Sequence, residues 1–101
     1  MKNNSARDQM SVLTVEGDLD VETFPRLLRQ AEASFDQGNF NLLIDLRQAG
    51  SISNGGLIAL QTIAARSESH GGKTVFSGAT ARATHQIRAT GFNLIPDLAR
   101  R

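Results

Sequence analysis

The sequence predicts an α/β domain in which helices cover a mostly parallel or mixed β-sheet of four or five strands. Three observations carry that reading. Short apolar, β-branched segments alternate along the chain with segments whose apolar residues recur at the helical period. Residues 40–46, Phe-Asn-Leu-Leu-Ile-Asp-Leu, are apolar on both alternating sets of positions, as a strand buried on both faces must be. Glycines at Gly38, Gly71, Gly72 and Gly91 stop each helical stretch. With 101 residues, 40% hydrophobic and 21% charged, the chain has room for one such domain. We assign it to residues 10–101, behind a polar tail of residues 1–9.

Val12-Leu13-Thr14-Val15 forms the first strand, ended by Gly17. Phe24, Leu27, Leu28, Ala31 and Phe35 then fall on one helical face, which closes at Gly38. Asp20 and Thr23 are both credible N-caps. Thr23 is the better one, because it places Pro25 in the first turn, where no backbone N–H is needed. Residues 40–46 supply the central strand. A second helix runs from Gly56, its face built from Leu57, Leu60, Ile63 and Ala64 and thickened by Ile58, Ala59 and Ala65. Residues 73–78 form the third strand, residues 80–90 a weaker helix and residues 92–95 a short last strand edged by Pro96. Three loops remain for function, at residues 17–22, 47–56 and 78–81, where α/β sheets usually place ligands.

Composition narrows the function classes. No cysteine is available for a disulfide, a thiolate metal site or a cysteine nucleophile, which fits a cytoplasmic setting. His70 and His85 are too few and too far apart to found a metal site. A net charge of +1 and the absence of Trp and Tyr argue against nucleic-acid binding. No apolar run comes near the roughly 20 residues that cross a bilayer. No nucleophile and base can be paired, so no catalytic residue and no cofactor is assigned. Charge is nevertheless segregated: residues 16–38 carry six acids against two bases, and residues 66–101 six bases against two acids. These are either the solvated faces of surface helices or a pair of opposite-sign docking patches.

The most unusual stretch is Ser51-Ile52-Ser53-Asn54-Gly55-Gly56-Leu57, small and polar between a buried strand and a helix start. Ser53 or Asn54 can cap that helix while the glycines permit a tight turn, or its outward N–H groups can receive an anion. The Gly-Lys-Ser/Thr of a phosphate loop is missing. Asp18 and Asp20, in the preceding exposed loop, either complement a helix dipole or contact a partner. Asp45 has no second carboxylate in its loop and is read as a structural hydrogen-bond acceptor. His70, at a helix stop, and His85 are read as solvated or structural.

Taken in order, Gly17-Asp18-Leu19-Asp20, Leu43-Ile44-Asp45-Leu46, Ser51-Ile52-Ser53-Asn54-Gly55-Gly56-Leu57, Gly71-Gly72-Lys73 and Thr90-Gly91-Phe92 resemble the STAS domain. That module is shared by sulphate transporters and bacterial anti-sigma factor antagonists, and the resemblance spans residues 12–97. It implies a non-enzymatic, cytoplasmic binding module whose partner is an ATP-binding serine kinase that doubles as an anti-sigma factor. Binding frees the sigma factor, and phosphorylation of a serine at the start of the second helix ends it. The alternative is a ligand- or nucleotide-sensing or transporter-accessory domain. The resemblance points to Ser51, Ser53, Asn54, Gly55, Gly56, Leu57 and Gln61, with Asp18 and Asp20, as the contact surface. It also places Asn54 where the family carries the phosphorylated serine, and an amide has no hydroxyl to phosphorylate. Ser53 becomes the substitute acceptor to consider, about one residue or 3.3–3.8 Å away. Family members usually end in a further helix, which here is short or absent. That predicts exposed apolar surface on one sheet face and a possible homodimer.

Overall fold

A computed structural model of the protein describes residues 10–78 and 85–87. In chain order its elements are β1 (Ser11–Thr14), β2 (Gly17–Leu19), α1 (Phe24–Asp36), β3 (Leu42–Asp45), β4 (Ala49–Ile52), α2 (Asn54–Ser69) and β5 (Thr74–Ser77). Residues 85–87 are helical, within the stretch where the sequence predicts a third helix. The predicted strand at residues 92–95, the rest of that helix and the chain end that motivates the homodimer lie outside the described residues.

β1, β3 and β5 form a parallel sheet in that order, with Leu13, Ile44 and Phe76 in register across it. Those three side chains are almost fully buried, together with Leu27 and Ala31 of α1 and Leu60 and Ile63 of α2. Both helices therefore press their apolar stripes onto the same core, as right-handed β–α–β crossovers arrange. β3 occupies the middle position that its doubly apolar sequence requires.

The predicted loops at residues 17–22 and 47–56 turn out to contain structure. β2 and β4 pair in parallel as a separate two-stranded sheet, Gly17 opposite Ala49 and Leu19 opposite Ile52, with an irregularity between. Their residues alternate poorly and include two glycines, an aspartate and a serine, so neither periodicity nor β-propensity marks them. Only Leu19 and Ile52 are buried, at 1% and 2% exposure, and these two anchor the pair to the main core.

Helix boundaries follow local chemistry. Thr23 does stand at the N-cap of α1, but its hydroxyl caps nothing in the helix. It donates to the Asp18 carbonyl at 2.8 Å, while the Asp20 carboxylate accepts from the Glu22 and Thr23 N–H groups. Asp20 thus orders the turn that feeds the helix, and both predicted caps are used at different levels. α1 ends before Gly38, whose φ of 82° only glycine adopts without strain. α2 begins at Asn54, two residues ahead of the predicted Gly56, because the Ser53 hydroxyl accepts from the Gly56 N–H at 3.1 Å. At its other end the exposed His70 has its Nδ1 2.9 Å from the Arg66 carbonyl and its ring stacked on Phe40 at 4.4 Å. Within α2, Ala59 is buried as expected, but Ile58 and Ala65 face solvent.

Candidate functional site

The two sequence-predicted contact loops form one surface. The Asp18 carboxylate accepts from the Ser51 N–H at 2.9 Å, and the Leu19 carbonyl accepts from the Ser53 N–H at 3.0 Å. The Ser53 hydroxyl also lies 3.3 Å from the Leu19 carbonyl oxygen. Asp18 therefore joins the two loops rather than simply complementing a helix dipole. Its position explains Gly50, where a Cβ would run into the Asp18 carboxylate. Gly56 has the same logic: a Cβ there would collide with the backbone of Leu19. Gly55 faces the Val21 side chain, which would sit 2.6 Å from an added Cβ.

A third support comes from a residue that the sequence analysis passed over. Gln86, in the helical segment 85–87, donates from Nε2 to the Ile52 carbonyl at 2.8 Å. Residues 51, 52 and 53 are thus each fixed through their backbone by a different partner. Nothing in the sequence singles out Gln86, because the bond spans 34 positions and depends on the packing of Ile87 into the core.

The surface so held presents Ser51, Ser53 and Asn54 to solvent, with Gly55 half-buried. Asn54 is the first residue of α2, at the positive end of the helix dipole. Gln61 is exposed on the outer face of the helix. Leu57 is half-buried and packs against the core, whereas the neighbouring Ile58 is 61% exposed. Of the predicted surface, Asp18, Ser51, Ser53, Asn54 and Gln61 are exposed, Asp20, Gly55 and Leu57 are half-buried, and Gly56 is buried in close contact with β2.

Asp45, the other loop carboxylate, lies at the end of β3 and pairs with Arg47 at 2.8 Å. The Arg47 guanidinium, and secondarily the Arg47 backbone N–H, hold its carboxyl below the ordinary value of 3.8. It acts as the structural acceptor the sequence suggests. Among the described residues no three His, Asp or Glu side chains come together as a metal site would require.

The family model described as Mlab, STAS domain matches residues 3–97. The chain belongs to the STAS domain family. Among solved structures, the STAS chain is similar to the anti-sigma factor antagonist SpoIIAA in its unphosphorylated form, with a TM-score of 0.67 and 13% identity over 83% of this chain and 76% of that one. At that identity the likeness is one of fold, and it bears out the predicted α/β architecture. A comparison with curated proteins found no match. In this STAS domain the segment running from β4 into α2 is the one whose backbone is held by Asp18, Leu19 and Gln86. No described helix is long and apolar enough to cross a membrane.

Proposed function

We propose that this STAS domain is a non-enzymatic, cytoplasmic protein-binding module that docks a partner through Ser51, Ser53, Asn54 and Gly55, flanked by Asp18, Asp20, Leu57 and Gln61. The partner class is the ATP-binding anti-sigma factor and serine kinase. The observation that carries this reading is a solvent-facing loop fixed by three separate backbone hydrogen bonds and devoid of charge. No charged residue stands between Arg47 and Arg66. A pre-organised loop loses little conformational freedom on binding, and charge-poor patches are what interface centres are made of.

In this reading Asn54 removes the regulatory step. A phosphate would add about −1.5 to −2 charges to a neutral contact and break it, but it needs a hydroxyl at this position. Ser53 is a poor substitute, since its hydroxyl is committed to the Gly56 N–H and the Leu19 carbonyl. Moving the acceptor by one residue also takes it out of line for transfer. Binding is therefore constitutive. Affinity capture from the native cell, with wild type and Asn54→Arg as baits, tests this. A kinase of the stated class recovered by wild type and lost by the variant supports the reading, and equal recovery of the same proteins by both contradicts it.

The Asn54 substitution also favours a second reading, in which the same face serves a transporter-accessory domain whose partner phosphorylates nothing. The identity of the captured protein, serine kinase or transporter ATPase, separates the two. Micromolar calorimetric binding of ATP, GTP or phosphate to the chain alone would instead indicate a ligand sensor.

A further inference from the structure

The order β1–β3–β5 leaves β1 at one edge of the parallel sheet. Successive peptide groups of a strand point to opposite sides, so alternate residues bond to the neighbouring strand and those between them face outward. The Ser11 and Val15 N–H groups donate to the Asn41 and Asp45 carbonyls at 2.9 and 3.1 Å. Val12 and Thr14 therefore turn their N–H and C=O groups away from β3, toward the edge. An open edge of this kind is a template on which another strand can pair.

Gln30 of α1 stands at that edge. Its Oε1 accepts from the Thr14 N–H and its Nε2 donates to the Thr14 carbonyl, each at 3.2 Å. The side-chain amide thus presents to Thr14 the same acceptor and donor that a residue of an added strand would present. Nothing among the described residues plays this part for Val12, whose side chain is 58% exposed.

Antiparallel pairing of one edge with a copy of itself is self-complementary, because a two-fold axis sets the same residue opposite itself. Centred on Val12, such pairing would place Val12 against Val12 of the second copy, exchanging both backbone bonds, and Thr14 against Met10 of the second copy. With Gln30 in place the Thr14 N–H is already used, and only the Val12 pair could form. A single bonded pair does not offset the freedom that two molecules lose on association.

We infer that the Gln30 amide is an autoinhibitory lock on the edge of β1, holding the domain from pairing with a second copy of this chain. The occupant that it excludes is a second copy in antiparallel register about Val12. Withdrawal of the amide frees Thr14 and lets one sheet continue across both copies. The lock needs no partner at the contact loop.

The test is size exclusion with light scattering on the full-length chain, wild type beside Gln30→Ala. Alanine preserves the helix propensity of α1 while removing the amide. Gln30→Ser repeats the removal with a different side chain, and circular dichroism confirms that each variant folds. Both should gain a dimerisation step at least roughly tenfold tighter than any self-association of wild type. Adding Val12→Lys to Gln30→Ala should return the chain to wild-type behaviour, since like charges would stand directly opposite each other. Mixing that double variant with one carrying Gln30→Ala and Val12→Asp should restore pairing as a heterodimer, which a contact elsewhere on the surface would not do. Unchanged association of the folded Gln30 variants would overturn the lock. So would a gain that Val12→Lys leaves intact, or a Lys and Asp mixture that fails to pair, because either result takes the edge of β1 out of the contact.

Discussion

Single side chains set the loop's geometry through contacts that leave no slack. Gly56→Ala drives a Cβ into the Leu19 backbone, and since β2 is itself paired to β4, neither side can retreat freely. We expect a loss of about 1–3 kcal/mol in urea unfolding, the usual cost of forcing volume into a packed site. Ser53→Ala should cost roughly 1 kcal/mol through the lost helix cap, and Ser53→Asp less, because a carboxylate still accepts from the Gly56 N–H. Asp45 gives a pH signature. Its carboxyl is held low in the folded state, so its contribution is present above the unfolded value of 3.8 and disappears as pH falls through the still lower folded value. Thermal unfolding followed from neutral pH into this acid range should show a decline that Asp45→Asn flattens. The effect is modest, since the partner Arg47 side chain is 67% exposed.

At the scale of elements, what the sequence makes legible depends on how the chain gains its stability. α1 and α2 are specified by a helical apolar period and β3 and β5 by short apolar runs between turn residues, and each appears within about two residues of where that signal stands. β2 and β4 are specified by neither pattern nor propensity. They exist because Leu19 and Ile52 reach the core and because Asp18 bridges to Ser51, a tertiary contact across 33 positions. The contact loop could be found from its run of small polar residues and its glycines, but its rigidity could not, since Gln86 and the two loop-to-loop bonds emerge only on folding. Ile58 was open to a different mistake. It adjoins Leu57 in sequence and counts as core by composition, yet the Leu57, Leu60, Ile63 and Ala64 stripe leaves it a hundred degrees or so around the helix from its neighbour. Removing the Gln86 contact with Gln86→Leu should speed amide exchange at Ser53 and Asn54, while exchange in β3 stays unchanged.

For the whole molecule, a parallel sheet of β1, β3 and β5 holds the core and a second small sheet of β2 and β4 leads into the proposed contact loop. Ile44→Ala, at the centre of that core, should cost about 2–5 kcal/mol without altering the loop's intrinsic affinity for a partner. The near-zero net charge conceals an acidic edge beside a long uncharged stretch, and this division suits a domain built to be recognised. The proposed binding is one that ATP cannot switch off. Calorimetry with the purified, captured partner measures this directly, comparing affinities before and after preincubation with the partner and ATP. We predict that wild type changes by less than about twofold and that Asn54→Ser loses at least roughly tenfold, a gain of the switch worth some 1.4 kcal/mol. Stoichiometric phosphate on Ser53 of the wild type, with binding abolished, would contradict it.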